Sequence, residues 1–413
     1  MTVLRAWFAI PLWQRVLGGL ALGLIFALVW PEATPQVAFL GDLFVRAIRM
    51  LVAPIVLVTI AAGITALDPR RLGGLGGRTV GLFAATTFVA VAVGMLVATI
   101  VRPGVGAPLG TAAAHPLGTP VTAYDQLVGI VPLNIVEALA KGDMLALIFV
   151  AILIGVGTVL AGEPGQPFAR GLQSLSAVLL KVVAIVMEAT PFGVFALIAN
   201  AVAANGAAVF VQVGWLALAV VIGSVVQMAI VQSLMLRLLA RVSVRRFFRG
   251  AFDALAVAFS TASSSATLPV AMRVAGDELG VPRPIYSTVL PLGASIGKDG
   301  TAMYVGLLSL FALQAFGTPL TPLVYLTVLL TGALAAFGTA PVPSASLFML
   351  AAVLSSVGIA PEQTALVVGF VLPFDRLLDM TRTVPSASAN LAVAVTVARW
   401  EGELGVAEPD RAA

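Results

Sequence analysis

Apolar stretches long enough to cross a bilayer, at about 20 residues each, recur near 12–30, 37–66, 78–101, 126–161, 172–203, 207–240, 285–314 and 363–398. They predict eight membrane-spanning helices, several of them long enough to tilt or break. Two further apolar regions do not fit this count. The stretch 251–275 is interrupted by STASSSATLP (260–269), and 327–357 by GTAPVPSAS (338–346). Each arm is too short to span, and irregular backbone is not tolerated against lipid. Each pair therefore reads as a re-entrant helical hairpin whose tip is buried in protein or faces water. The alternative is a kinked through-span whose Ser and Thr side chains bond back to their own helix.

The two interrupted regions are spaced alike. Ser264 precedes Asp299 by 35 positions (299 − 264), and Ser344 precedes Asp379 by the same 35 (379 − 344). One full span, 285–314, separates the hairpins, so they would enter from opposite sides as an inverted repeat. Short interrupted segments at matching places in two inverted halves point to a transporter's binding site.

Composition gives the class. With 60% hydrophobic and 10% charged residues and a mean hydropathy of +1.07, the chain reads as an all-α polytopic membrane protein. Basic residues fall at alternate span ends: Arg5 and Arg15, then Arg70, Arg71 and Arg78, then Arg170, then Arg237, Arg241, Arg245, Arg246 and Arg249. That pattern predicts a multi-pass protein of the cell (inner) membrane with both termini cytoplasmic. It also accounts for the net charge of +4, leaving no reason to expect a nucleic-acid partner. The absence of cysteine excludes disulfides and thiolate metal sites, and the single histidine, His115, falls in a Gly/Pro/Ala-rich connection. No metal site and no cofactor are expected. The run 17–30 lacks a small-residue cleavage site and reads as a retained helix, not a signal peptide.

Against this apolar background a few charges stand out. In GASIGKDGTAMY (293–304), Lys298 and Asp299 sit side by side in what reads as the polar middle of a span. Charge in hydrocarbon costs several kcal/mol unless paired or hydrated. In DRLLDMTRTVPSASAN (375–390), Asp375, Asp379, Arg382, Ser386 and Asn390 follow steps of 4, 3, 4 and 4. On a helix these form one stripe with Thr383 beside it, and the stripe must face protein or a water-filled cavity. Asp379 and Arg382 could simply neutralise each other as structural glue. They also offer complementary handles for an amino acid, a carboxylate for its ammonium and a bidentate guanidinium for a carboxylate.

At this point the chain resembles the dicarboxylate/amino acid:cation symporters, the family of the glutamate transporters and their prokaryotic homologues. The motifs STASSSATLPV, PLGASIGKDGTAMY, GTAPVPSAS and DRLLDMTRT carry the likeness, in that order. The resemblance implies a homotrimer in the lipid bilayer, with eight spans and two hairpins per protomer and elevator-type alternating access. It places a scaffold at 1–77 and 126–206, transport parts at 78–125 and 207–398, and a tail at 399–413. It implies that Ser264 holds the substrate's main-chain carboxylate and Asp379 its ammonium. Arg382 and Thr301 would hold a side-chain carboxylate, Thr383 and Ser386 would complete the pocket, and the tip near Val342 would gate it. The implied partner is a small acidic amino acid, with a C4-dicarboxylate or a neutral amino acid as alternatives. Asp379 favours the amino acid, since without an ammonium that carboxylate would stay buried and uncompensated.

The cation-coupling positions are Thr86, Thr87, Lys298, Asp299, Asp375 and Asn390; Thr86 and Thr87 remain as in the family, but the set does not carry over intact. Gly297 and Lys298 replace the usual Asn-Met before Asp-Gly-Thr, Asn390 stands for a sodium-binding Asp, and Phe83 for a Tyr. Ser386 stands where Asn is common, and Pro341, Ser344 and Ser346 replace glycines at the second tip. One carboxylate lost and one ammonium gained raise the local charge by two. At about 4 Å and an effective dielectric near 20 each such pair is worth roughly 4 kcal/mol, about a thousandfold against a bound sodium. The expectation is sodium-independent, proton-coupled symport. Lys298 would stand in for the missing cation, held by Asp299 or Asp375, and the proton would ride on Lys298, Asp299, Asp375 or Asp379. The competing readings are a sodium-coupled symporter, a permanently paired lysine in a facilitator or exchanger, an anion-conducting or purely structural protein with Arg382 as a pore charge, and a Ser264–Lys298 hydrolytic dyad.

Overall fold

A computed structural model describes residues 10, 12–65, 76–107, 109, 128, 131–141, 144–206, 208–339 and 345–405. Every regular element among them is helical. In chain order these are α1 (Leu12–Val29), α2 (Thr34–Thr65), α3 (Gly77–Val101), α4 (Ile135–Lys141), α5 (Met144–Leu160), α6 (Gln166–Met187) and α7 (Thr190–Asn205). They are followed by α8 (Ala208–Val226), which runs on through π-helical turns at Gln227–Gln232 and Leu236–Ala240. Then come α9 (Val244–Thr261), α10 (Ser264–Asp277), α11 (Arg283–Ile296), α12 (Asp299–Ala315), α13 (Pro322–Phe337), α14 (Ala345–Ser356) and α15 (Pro361–Trp400).

Two of these helical stretches, Gly77–Val101 and Phe210–Ala240, are long and apolar enough to cross a membrane. The count rises to three if Gln14–Val29 and Pro31–Phe44, bent by 114°, form one span. Among the described residues this is fewer than the eight expected from hydropathy, and two of the expected spans are divided by local breaks. The stretch 172–203 divides between Met187 and Thr190, where Pro191 sits in the first turn of α7. The stretch 285–314 breaks at Gly297 and Lys298. The last helix matches its prediction closely in extent, but its charges keep it from reading as an apolar span.

The first interrupted region is a tight helical pair. α9 ends with Ala262 in the left-handed conformation (φ 51°), Ser263 caps α10 by accepting from the Ala266 amide at 3.3 Å, and the two helices pack together. The interruption expected over 260–269 is thus only two residues wide. Ser263 is the cap residue, a type that favours helix starts, and Pro269 is accommodated inside α10. In the second region α13 and α14 likewise pack on each other. Its tip, with Val342, Pro341 and Ser344, lies outside the described residues.

Around the middle of the molecule, α3 packs along α12, and α15 touches α8, α9, α11 and α12. α12 is buried from Asp299 through Leu313, and α15 over 385–398. Small residues allow the close approach: a side chain on Gly306 would meet the Val91 carbonyl at 2.6 Å, and one on Gly94 would collide with that of Met303. Elsewhere α1 packs on α7, and α2 on α5, α6 and α7. Arg15 joins the first of these pairs, bonding Glu188 at 2.7 Å from a nearly buried position. It therefore has a structural partner as well as a place in the charge pattern.

Candidate functional site

The site forms where two helices are interrupted or polar at the same depth. α11 stops at Ile296 and α12 starts at Asp299, so Lys298 and Asp299 occupy a helix break and not the middle of a helix. The last carbonyls of a helix lack partners and carry partial negative charge, whereas the first amides carry partial positive charge. The adjacent charges match both ends. Lys298 folds its side chain back onto α11 and donates from Nζ to the Ala294 carbonyl at 2.7 Å. Asp299 lies in the first turn of α12, fully buried. Its Oδ1 accepts from the Thr86 hydroxyl at 3.0 Å and its Oδ2 from the Gln227 amide at 3.1 Å.

This corrects the expected pairing of the lysine. Among the described residues no carboxylate lies within ion-pair distance of Lys298. Asp299 is engaged by Thr86 and Gln227, and Asp375 Oδ1 accepts from the Tyr304 hydroxyl at 2.9 Å. A backbone carbonyl left free by the break is nearer to hand than either carboxylate. Nor does a hydrogen bond join Lys298 to Ser264, so the hydrolytic dyad is not assembled.

The stripe on α15 is buried along its length: Asp375, Asp379, Arg382, Thr383, Ser386 and Asn390 are each less than a tenth exposed. Arg382 is its centre. Its Nη2 pairs with Asp379 Oδ1 at 2.7 Å, its Nη1 donates to Thr301 Oγ1 at 2.8 Å, and its guanidinium lies 4.8 Å from the Tyr304 ring centroid. The Thr383 hydroxyl donates to the Asp379 carbonyl at 2.7 Å, and Ser386 Oγ accepts from the Gly300 amide at 2.9 Å. α12 and α15 are thus joined by three hydrogen bonds, Arg382–Thr301, Gly300–Ser386 and Tyr304–Asp375, and a cation–π contact. A guanidinium desolvated this far binds a carboxylate far more strongly than an exposed one.

Other expected residues lie apart from this cluster. Ser264, the first residue of α10, lines a pocket of ≈ 10 Å³ with Thr267, Ala294 and Asn390, between α10, α11 and α15. That is room for about one water. Ser264 makes no hydrogen bond to Arg382 or Asp379. Thr87 is buried with its hydroxyl unpartnered and is not among the hydrogen-bond donors to Asp299. The sequence reading missed Gln227 and Tyr304. Gln227 stands out as a polar interruption of the apolar run 207–240, and it opens a π-helical stretch, a feature frequent at functional sites. Tyr304 closes the GASIGKDGTAMY motif.

The sequence model of the Sodium:dicarboxylate symporter family matches residues 12–400. The chain belongs to that family. It is 32% identical over 404 residues to a proton/sodium-glutamate symport protein of Geobacillus stearothermophilus, covering 95% of this chain and 94% of the relative. It is 31% identical over 409 residues to a protein of the same description from Bacillus subtilis (strain 168), at 96% and 94% coverage. A C4-dicarboxylate transport protein of Anaeromyxobacter sp. (strain K) is 32% identical over 402 residues, at 95% and 90%. These descriptions indicate a transporter and not an enzyme.

The family's description implies a sodium ion, and the donor set argues against a fit. The free carbonyl at the end of α11 already holds an ammonium. Asp299 takes neutral donors on both oxygens, and the amide of Asn390 supplies no charge. Among the described residues no group of three or more acidic or histidine side chains could hold a metal.

Proposed function

We propose that the chain is a secondary active symporter of an acidic amino acid such as aspartate or glutamate, working in the cell membrane by elevator-type alternating access as a homotrimer. Eight spans and two re-entrant hairpins, both termini cytoplasmic, would complete the architecture. Family membership supports this reading, as do the two helical pairs and the packing of α1 on α7 and of α2 on α5, α6 and α7. The observation that carries it is the buried Asp379–Arg382 pair on α15, whose guanidinium also reaches Thr301 on α12. A bound amino acid exchanges that one ion pair for two, its ammonium on Asp379 and its side-chain carboxylate on Arg382. Ser264, Thr301, Thr383, Ser386 and the tip near Val342 would enclose it.

The pairing alters the argument about substrate. Asp379 is already compensated by Arg382, so an ammonium is not required merely to neutralise it. The amino acid is favoured because it leaves neither charge bare, whereas a dicarboxylate on Arg382 draws it away from Asp379. A second reading, a C4-dicarboxylate, is favoured by the Lys298 ammonium, which has no carboxylate partner and could serve a second anionic group.

Symport with a cation follows from charge. Lys298 and Arg382 supply two positive charges against three negative from Asp299, Asp375 and Asp379, a net of −1 (2 − 3) when all are ionised. An acidic amino acid brings a further −1 into the same low-dielectric interior. A proton is the cation best suited to follow it, because the sodium donor set is compromised. With Lys298 keeping its ammonium, the candidate carriers are Asp299, Asp375 and Asp379, and Asp375 Oδ2, buried without a hydrogen-bond partner, is the open position among them.

A thermal-shift screen of the purified protein tests the substrate class. Aspartate or glutamate at about a hundred times Kd is expected to stabilise by about 2.7 kcal/mol, with neutral amino acids inert. Stronger stabilisation by succinate would reverse the assignment to the dicarboxylate.

A further inference from the structure

We propose that the broken end of α11 is a monovalent-cation site permanently occupied by the Lys298 ammonium, and that removing the amine opens it to a free ion. The proposal rests on the transporter reading only for the purpose of the site. Its structural basis is independent of substrate.

The break itself creates the vacancy that the amine fills. In an unbroken helix the Lys298 amide would bond the Ala294 carbonyl, four residues back. Here that amide turns instead to the Ile296 carbonyl at 3.0 Å, while Gly297 N bonds Gly293 O at 2.8 Å. Ala294 O is left over, and the side chain of Lys298 replaces its own backbone amide on it at 2.7 Å. Half-helix C-terminal ends and unwound carbonyls are where membrane transporters hold small cations.

A second oxygen lies against the same helix end, beside Gly293 and Gly297. Asn390 Oδ1 is buried and has no partner. A Cβ on Gly293 would meet it at 2.8 Å, and a Cβ on Gly297 would collide with it, so both glycines keep clear the space in front of it. An ammonium has three donors, and one is engaged. The Ala294 carbonyl and the Asn390 amide oxygen, with Ser264 and Thr267 across the adjoining pocket, make an oxygen-rich setting for a single positive charge.

The neighbours explain why the charge matters. From α12 come Asp299 and Tyr304, and from α15 Asp375, Asp379 and Arg382; none makes an ion pair with Lys298 within 4.0 Å. The amine supplies the +1 of an alkali ion to this group without being able to dissociate. It therefore removes the need for, and the room for, a diffusible one.

The test is substrate-free thermal unfolding of the full chain in detergent, in sodium chloride against choline chloride at equal ionic strength. Wild type is expected to melt at the same temperature in both. Lys298→Met is expected to be less stable in choline and to recover in sodium, by about 1.5 °C at ten times Kd. The double variant Lys298→Met/Asn390→Leu should lose that response. Lys298→Gln repeats the test with a polar end in case the methionine variant folds poorly. Sodium stabilisation of wild type would overturn the proposal, and so would indifference of both single variants to sodium or their failure to fold in it. A sodium response that survives Asn390→Leu would remove the site from the end of α11. Because no substrate is present, any of these failures leaves the acidic-solute reading to be judged by its own screen.

Discussion

Replacing Arg382 by alanine is expected to abolish saturable uptake of acidic solutes and to destabilise the protein by about 3–5 kcal/mol, the range for breaking one side of a buried ion pair. The stability loss comes from Asp379, left buried and charged without its partner at 2.7 Å, and from Thr301, left without its donor at 2.8 Å. Stability and transport can be separated. Adding Asp379→Asn to Arg382→Ala removes the buried charge that Arg382 compensates and is expected to restore much of the stability, read by thermal unfolding in the absence of substrate. Uptake should stay absent, because neither the guanidinium nor the carboxylate is there to hold the solute. Uptake that persists in Arg382→Ala would mean the pair is structural glue and that the solute binds elsewhere.

A single methyl group at position 300 is expected to be nearly as damaging. The Gly300 Cα lies so close to the backbone carbonyl of Arg382 that a Cβ there would collide with it, and Ser386 Oγ would be met at 3.0 Å. Backbone on a packed helix cannot move aside as a flexible side chain can. Gly300→Ala should therefore cost about 3 kcal/mol, the upper end of ordinary overpacking, by prising α12 from α15 and stretching the Gly300–Ser386 hydrogen bond of 2.9 Å. Substrate affinity should fall with it, since Thr301 and Arg382 then no longer face each other correctly. An alanine variant with wild-type melting temperature would show that the two helices are not held this closely.

The legible and illegible parts of the site divide along a physical line. The stripe on α15 was readable because five polar residues at helical spacing in an apolar chain have one sensible explanation, and all five are buried on that helix. The helix break at Gly297 was not, although Pro291, Gly293 and Gly297 weaken the helix around it, because charges in a span look alike whether they sit within a helix or at its end. Pairing was least legible of all. Sequence pattern brings side chains to mind as partners, and the Lys298 ammonium found a backbone carbonyl instead. Gln227 was passed over for a related reason: the glutamines of the run 207–240, at 212, 227 and 232, form no helical stripe, yet Gln227 supplies one of the two hydrogen bonds that Asp299 receives. The hydropathy count of eight spans met the opposite difficulty. Apolar runs record where lipid or protein must surround the chain, and they pass without interruption over the turns that divide 172–203 and 285–314.

The central claim is that a lysine amine, fixed to the end of a broken helix, has taken over the task of a dissociable metal ion beside an acidic-solute site. Uptake of radiolabelled aspartate into proteoliposomes under separately imposed gradients measures it directly. The account predicts stimulation by an inward proton gradient in sodium-free buffer, and no response to an inward sodium gradient at equal internal and external pH. Stimulation by the sodium gradient alone would contradict it.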